Sequence, residues 1–276
     1  MTFKEQIIKR QRTVNSLVCC GLDTDKELLP KNVNWQEDPV LAFNKAIIDA
    51  TAEFVCSFKI NIAFYLISGW LEIILQDTIK YIHEKYPEIP VILDTKDGDI
   101  ANSAQKSVQK VFERFKADAV TINPLSGRDS CQPFLDQKEK GIFILCRTSN
   151  ANSEEFQCFG GPTGPLWKYI AYQVVNYWNN NNNCGLVIGG TYPSTLKTVR
   201  QIAGDMPILV PGIGAQEGDL ESVVFYGLNS FGQGLIISAS RSIIYASNGP
   251  DFAEAAARAT KQLRDRVNQL KRRMKR

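Results

Sequence analysis

The sequence predicts an α/β fold in the form of a (β/α)8 barrel, on three observations. Eight apolar runs of strand length alternate with longer segments of helical periodicity, as expected for a barrel of about 250 residues. The runs are continuously apolar, which is typical of parallel strands covered on both faces. Polar residues stand where most runs end, and a barrel carries its functional residues at that end of its strands. The main alternative is a doubly wound open sheet, but the first run is followed by CCGLDTD and not by a GxGxxG turn.

The eight predicted strands are short and rich in Val, Ile and Leu. Each is followed by a helical pattern or a loop, so consecutive strands can run parallel. The predicted strands cover residues 16–23, 56–62, 90–96, 119–124, 141–149, 185–191, 207–214 and 234–240.

Helical segments with apolar residues three and four positions apart lie between these strands. Asp38 precedes Pro39, which predicts a helix start with an aspartate cap. The last segment ends in basic residues, which suit the negative end of a helix dipole. With one barrel of this size, we predict a single catalytic domain over residues 1–276. The clearest helical segments are 38–54, 103–115, 166–178, 193–203, 218–227 and 251–276.

Two insertions interrupt the regular alternation. Residues 150–165 are rich in Gly and Pro and follow the fifth strand on the predicted active-site face. A loop of this length is often a lid or a binding loop, and that is our prediction for it. Residues 179–183 are a run of asparagines at the opposite face, which predicts an exposed spacer.

Composition and charge exclude several functions. The net charge of +3 is too small to indicate binding to nucleic acid or to a membrane surface. No segment reaches the roughly 18 apolar residues of a membrane span, and the amino terminus lacks the apolar core of a signal peptide. Cysteines such as Cys19, Cys56, Cys146 and Cys184 lie in or beside apolar runs, which indicates reduced, buried thiols in a cytoplasmic protein. No metal site is expected, because His83 is the only histidine and lies in a helical pattern.

A charged array lies at the end of the third strand, in the segment VILDTKDGDIANSA. Side chains alternate along a strand, so Asp94 and Lys96 point to the same side, and Asp99 lies in the next turn. Lys59, on the second strand, reaches the same barrel mouth. Opposite charges alternate in this group, which makes its burial tolerable and favours the protonated form of Lys96 as a general acid. The spacing alone is a weak indication of a catalytic site, since a surface charge cluster would have the same residues at the same spacing.

An anion site is predicted by the segment VPGIGAQEGD after the seventh strand. Gly212 and Gly214 allow backbone amides to approach an anion, and Gln216 is a neutral donor on the same loop. The eighth strand is followed by Arg241, whose planar guanidinium matches phosphate oxygens in pairs. Because barrels often bind phosphate at the loops after strands seven and eight, the ligand is predicted to be a phosphate monoester.

These segments together resemble the orotidine 5′-phosphate decarboxylase family. The segment LDTKDGDIANSA is similar to the family signature D-x-K-x-x-D-I, and CCGLD, SFKIN, RTSN, PGIGAQEGD and SRSIIYAS occur in the family's order. The resemblance covers nearly the whole chain and is greatest to the longer version of the family, which has a TSN segment after strand five. Two departures are Asp97, where many relatives have a basic residue, and Ser103, where relatives often have threonine.

The resemblance implies a role for each matching residue. It implies that Lys96 donates the proton and that Asp94 lies beside the substrate carboxylate. Lys59 and Asp23 are implied to hold ribose hydroxyls, with Asn61 nearby. The other implied contacts are Ser149 to the pyrimidine edge, Gln216 and Arg241 to the phosphate, and Asp99, with Ile100 and Ser103 beside it, in the partner subunit's site of a homodimer.

The predicted reaction is therefore decarboxylation of orotidine 5′-monophosphate to uridine 5′-monophosphate, the last step of de novo pyrimidine nucleotide synthesis, with no cofactor. A preorganised field would stabilise a carbanion at C6, and Lys96 would protonate it. The alternatives are a magnesium-dependent sugar-phosphate lyase of the same superfamily, a Schiff-base aldolase, and a non-catalytic nucleotide-binding barrel. Association with a separate orotate phosphoribosyltransferase is left open by the sequence.

Overall fold

Eight parallel strands close into a barrel in this computed structural model, which describes residues 1–31, 33, 35–162, 164–213 and 219–274. Around the barrel the strands pair in the order β1-β10-β9-β8-β5-β4-β3-β2. All eight predicted strands are confirmed, as is the predicted fold class. The strands are β1 (Val18–Gly21), β2 (Ser57–Asn61), β3 (Val91–Asp97), β4 (Ala119–Ile122), β5 (Gly141–Arg147), the two-residue strands β6 (Gly160–Gly161) and β7 (Gly164–Pro165) outside the barrel, and β8 (Cys184–Ile188), β9 (Ile208–Pro211) and β10 (Leu235–Ala239).

Helices surround the barrel, and several of them begin at a side-chain cap. The Asp38 carboxylate accepts the backbone N–H groups of Val40 and Leu41, which confirms the predicted cap. Two predicted helices end in π-helical turns, Gln109–Arg114 and Val174–Trp178. The helices are α1 (Phe3–Thr13), α2 (Pro39–Thr51), α3 (Gly69–Lys85), α4 (Ala101–Val108), α5 (Arg128–Leu135), α6 (Glu154–Gln157), α7 (Leu166–Gln173), α8 (Pro193–Ala203), α9 (Leu220–Gly227), α10 (Arg241–Ile244) and α11 (Phe252–Met274).

The apolar core has two layers, one inside the barrel and one between the strands and the outer helices. Helix α1 belongs to the inner layer, because its residues Phe3 and Ile7 pack against inward-facing strand residues such as Phe143. The rings of Phe3 and Phe143 meet edge to face, with 5.7 Å between centroids. Burial of each such side chain stabilises the fold by about 1.5–3 kcal/mol. The amino-terminal helix therefore closes one end of the barrel, and the other end is left for the site.

The asparagine run differs from the prediction of an exposed spacer. Asn183 is buried, and its amide donates to the backbone carbonyls of Leu135 and Gln137. The side-chain oxygen of Asn179 accepts the N–H of Cys184 at the start of β8. The prediction was wrong for these positions because a short amide side chain can satisfy buried backbone groups, which composition alone does not reveal.

Residues 150–165 contain more structure than a plain loop. A 3₁₀ turn, Ala151–Ser153, leads into α6, and β6 and β7 pair as an antiparallel hairpin. The lid assignment for this segment stays a prediction. The predicted burial of Cys19, Cys56, Cys146 and Cys184 is confirmed. Among the described residues no helix combines the length and apolar character required to span a bilayer.

Candidate active site

A cavity of about 360 Å³ opens at the carboxyl ends of the barrel strands. Its wall draws residues from strands all around the barrel, as the sequence predicted from the polar residues that end the runs. The described lining includes most of the predicted site residues: Asp23, Lys59, Asn61, Asp94, Lys96, Ser149, Gly212 and Arg241.

Four charged side chains form a chain of alternating sign on one side of this cavity. The Lys59 ammonium lies 3.5 Å from an Asp23 oxygen and 3.1 Å from Asp94 Oδ2. The other oxygen of Asp94, Oδ1, lies 2.7 Å from Lys96 Nζ. Lys59 and Asp94 are buried, whereas the Lys96 side chain is 47% exposed and faces the cavity. We name Asp23, Lys59, Asp94 and Lys96 the charge chain; its two carboxylates and two ammonium groups balance.

Burial and pairing act in opposite directions on the two inner members of the charge chain. Burial by itself would raise the pKa of Asp94, but the ammonium groups of Lys59 and Lys96 and the bonds from Lys96 and Thr121 hold that pKa well below its ordinary value. Burial would lower the pKa of Lys59, but Asp94 and Asp23 outweigh it and raise that pKa above its ordinary value. Both groups are therefore charged at neutral pH, and the centre of the charge chain holds two fixed charges of opposite sign.

Thr121 of β4 positions the charge chain, and sequence analysis did not select it. Its hydroxyl donates to Asp94 Oδ1 at 2.7 Å and accepts the backbone N–H of Lys96 at 3.1 Å. Lys96 has a φ of +54°, a left-handed conformation that is uncommon outside glycine, and the register between β3 and β4 shifts at this point. Strain of this kind persists where surrounding contacts impose it, and it is common at functional sites. A signal was present, since Thr121 is a polar residue inside an apolar strand.

Asp23 is held from both neighbouring strands. Ser240, which follows β10, donates its hydroxyl to Asp23 Oδ2 at 2.7 Å, and the backbone N–H of Asn61 donates to Oδ1 at 3.1 Å. Gly21 permits this approach, since a side chain there would collide with Ser240. No pattern in the sequence indicates the role of Ser240, because that role depends on β1 and β10 being neighbours in the closed barrel.

The predicted anion site lies across the barrel from the charge chain. Strand β9 is four strands from β3 in either direction around the barrel. Gly212 follows β9 with a φ of +90°, a conformation that favours glycine, and Arg241 begins α10 directly after β10. Both line the cavity. The other two predicted residues of this site, Gly214 and Gln216, lie outside the described residues.

Ser149 lies in the cavity wall at the end of β5, where the sequence placed it. A side chain at Gly189 would fall within 2.7–2.8 Å of the backbone of Ser149, so the absence of one lets the strand ends β5 and β8 approach here. The cavity therefore presents a hydroxyl on a third side, between the charge chain and the anion site in strand order.

Three predicted residues are not brought into the cavity of the single subunit. Asp99, Ile100 and Ser103 are exposed, and the Asp99 carboxylate accepts the N–H of Ile100 at 2.8 Å. The prediction assigned them to the site of a partner subunit, and their exposure is compatible with that assignment. As for metal binding, the described part of the chain has no cluster of three or more His, Cys, Asp and Glu side chains arranged to hold an ion.

We expect Asp94 to make stability depend on pH. Because its folded pKa lies below the ordinary value of 3.8, its stabilisation is fully present above that pH and is lost as pH falls through the folded pKa. Asp94→Asn should lower the free energy of unfolding by about 3 kcal/mol at neutral pH, because Lys59 loses a partner in a buried pair. In urea unfolding, this difference from wild type should shrink below about pH 4. A difference independent of pH would contradict the assignment.

Comparison with known proteins gives the same enzyme family for the family model and for the individual relatives. Residues 16–258 match the model of the orotidine 5′-phosphate decarboxylase / HUMPS family. The orotidine 5′-phosphate decarboxylase of Cellvibrio japonicus is 47% identical over 270 residues, which cover 97% of this chain and 98% of the relative. That of Ralstonia pickettii is 44% identical over 271 residues, which cover 98% of this chain and all of the relative.

Solved structures agree with the sequence comparison. The OMP decarboxylase of Leishmania donovani superposes with a TM-score of 0.84 and 32% identity, covering 98% of this chain and 99% of that one. The UMP synthase of the same organism gives a TM-score of 0.87 and 33% identity, but the match covers only 57% of that longer chain. The barrel fold is thus shared with solved proteins named OMP decarboxylase and UMP synthase.

Proposed function

The chain belongs to the orotidine 5′-phosphate decarboxylase family and converts orotidine 5′-monophosphate to uridine 5′-monophosphate in pyrimidine synthesis; from this premise we propose that the charge chain is its catalytic apparatus. One observation carries the proposal: the Lys96 ammonium lies at the cavity, 2.7 Å from the buried Asp94 carboxylate. An exposed cation beside a buried anion forms a field that is in place before the substrate binds.

In the proposed mechanism, the bond between C6 of the pyrimidine and its carboxylate breaks, and its electron pair stays on C6. Carbon dioxide leaves, and Lys96 transfers a proton from Nζ to C6. The ammonium stabilises the developing negative charge before it gives up that proton. Asp94 stands beside the substrate carboxylate, so its fixed charge disfavours the bound substrate relative to the state in which carbon dioxide has separated.

The cavity residues other than Asp94 and Lys96 are proposed to hold the nucleotide. Asp23 and Lys59, the other two members of the charge chain, would bind ribose hydroxyls with Asn61, because the three residues lie together at the ends of β1 and β2. Ser149 would bind the pyrimidine edge. Gly212 and Arg241, on the opposite side of the barrel, would bind the phosphate, and Gly214 and Gln216 are proposed to share that role.

We propose a homodimer in which Asp99, with Ile100 and Ser103 beside it, enters the partner's cavity. Exposed apolar side chains on the same side of the barrel support this, since they would be covered by a second subunit. Those side chains are Ile67 (77% exposed), Trp70 (58%), Ile100 (56%) and Leu125 (67%), which follow β2, β3 and β4.

The cellular setting is also a proposal. We also propose a separate orotate phosphoribosyltransferase as a partner enzyme, an association that the sequence left open. A cytoplasmic location is supported by the thiols: within the part of the chain that the structure describes, all seven cysteines are free.

Arg241→Ala tests the phosphate assignment. We expect kcat/KM for orotidine 5′-monophosphate to fall by about 100-fold or more, because charge-assisted bonds from a guanidinium to phosphate are lost. Turnover of orotidine, which lacks the phosphate, should not change. Arg258→Ala is the matched control, since Arg258 is an exposed arginine of α11 that pairs with Asp251. Equal losses on both substrates, or no loss on the nucleotide, would contradict the assignment.

A further inference from the structure

We propose that Gln157 is a positioning residue for the pyrimidine-binding end of the cavity. This inference rests on the proposed role of Ser149 and extends it to a residue outside the main cavity. The side-chain amide of Gln157 holds Thr148, the residue next to Ser149, and so sets the position of the Ser149 hydroxyl.

Gln157 contacts Thr148 through both ends of its amide. Its Oε1 accepts the backbone N–H of Thr148 at 2.9 Å, and its Nε2 donates to the Thr148 hydroxyl at 2.9 Å. The same hydroxyl donates to the side-chain oxygen of Asn150 at 2.7 Å. Both the backbone and the side chain of Thr148 are therefore fixed, and a bidentate contact restricts rotation as well as translation. We call this pair of bonds the Gln157 clamp.

Few side chains of the segment that contains Gln157 are shielded from solvent. Between positions 151 and 161, only Ser153 and Gln157 are not exposed. They are four residues apart, so they lie on one face of a helical turn. Ser153 Oγ lies 3.3 Å from the hydroxyl of Tyr192, and Gln157 makes the clamp. The only two side chains of this segment that are not exposed are thus both polar, and they contact the segments that follow β5 and β8.

A second set of contacts supports the same segment. Arg147 at the end of β5 is 1% exposed, lies 3.9 Å from the Tyr192 ring and pairs with Glu154 at 3.2 Å. Tyr192 also donates its hydroxyl to the backbone carbonyl of Asn150 at 3.3 Å. Residues on either side of Ser149 are therefore tied to α6 and to Tyr192, which leaves little freedom for Ser149 itself.

Thr148 is shared between two cavities, which makes its position relevant to binding. It lines the main cavity together with Ser149, and it also lines an adjoining cavity of about 330 Å³ beneath residues 150–157. Gln157 lines only the second of these among the described pockets. The Gln157 clamp therefore acts on the pyrimidine-binding wall from the side of the second cavity, and Gln157 itself does not contact the substrate.

The test compares two ligands that differ in the base. Purified Gln157→Met is titrated calorimetrically with uridine 5′-monophosphate and, separately, with ribose 5-phosphate, which has no pyrimidine. We expect the Kd for the nucleotide to rise about tenfold, the loss typical of one to two hydrogen bonds, while the Kd for ribose 5-phosphate stays unchanged. KM for orotidine 5′-monophosphate should rise in parallel. Gln201→Met, an exposed position on α8, is the matched control.

Further variants separate the inference from the function it rests on. Gln157→Glu keeps an acceptor for the Thr148 N–H and loses the donor, so it should be intermediate. Thr148→Val should add little to Gln157→Met, because both remove the same bond; it also serves if Gln157→Met does not fold. If Ser149→Ala weakens nucleotide binding and Gln157→Met does not, only the inference is overturned. Equal losses for both ligands also overturn it, and an unaffected Ser149→Ala overturns the role of Ser149 as well.

Discussion

Lys96→Ala should lower kcat/KM for orotidine 5′-monophosphate by at least about 10⁴-fold, because one change removes both the proton donor and the nearest cation to C6. The two effects each contribute several orders of magnitude in other enzymes, and in the described lining of the cavity the only other ammonium is that of Lys59. Lys59 is buried between two carboxylates and does not present its charge in the same way. The loss should be seen as disappearance of the change in absorbance that accompanies decarboxylation.

Controls for Lys96→Ala separate chemistry from folding. The variant should fold, because the Lys96 side chain is half exposed and contributes little to the core. It should also keep binding uridine 5′-monophosphate, whose ribose and phosphate contacts lie elsewhere. Lys80→Ala is the matched control, since Lys80 is an exposed lysine of α3. Turnover within about tenfold of wild type would remove Lys96 from its proposed role.

Asp99→Ala should be nearly as damaging, although Asp99 lies outside the cavity of its own subunit. If Asp99 belongs to the partner's site, each active site of the dimer combines Lys96 from one subunit with Asp99 from the other. We expect a loss of about 10³-fold, the size of a lost electrostatic contact in a water-excluded site. Within one subunit, nothing among the described contacts links Asp99 to the charge chain, so a monomeric enzyme would tolerate the change.

Mixing two inactive variants tests the shared site directly. When Lys96→Ala and Asp99→Ala subunits are unfolded together and refolded, half of the dimers should be mixed, and each mixed dimer has one site with both residues intact. About one quarter of wild-type activity should return. Each variant refolded alone is the control, and sedimentation should show that both still form dimers. Failure to recover activity from mixed dimers would exclude a site built from two subunits.

The residues of the charge chain that are proposed to act in catalysis also affect the stability of the fold. Isolated buried charges are costly, and Asp94 and Lys59 are tolerable only as partners. Thr121 and Ser240 complete the hydrogen bonding of the two carboxylates. A substitution at any member of the charge chain should therefore alter the electrostatic environment of its neighbours. The effects of single substitutions in this group on the free energy of unfolding should not be additive.

The course of the chain and the position of the site could be predicted because they depend on local patterns. Continuous apolar runs specified eight parallel strands, and the residues that end those runs identified Lys59, Asp94, Lys96 and Ser149 as members of one cavity. The cap at Asp38 was predictable for the same reason, since it depends on residues two and three positions away. Each of these signals depends on residues that are close together in the sequence.

Other features were decided only when the barrel closed. Ser240 meets Asp23 across 217 positions, Thr121 meets Asp94 across 27, and Asn183 finds its carbonyls more than 45 positions back. The left-handed conformation of Lys96 likewise occurs where the register between β3 and β4 shifts. The sequence by itself determined which side chains carry charge and at which end of the barrel they lie. The tertiary structure decided which groups hydrogen-bond to those side chains. A hydrogen bond depends on the distance between two groups in space, and partners that are far apart in the sequence produce no periodic pattern.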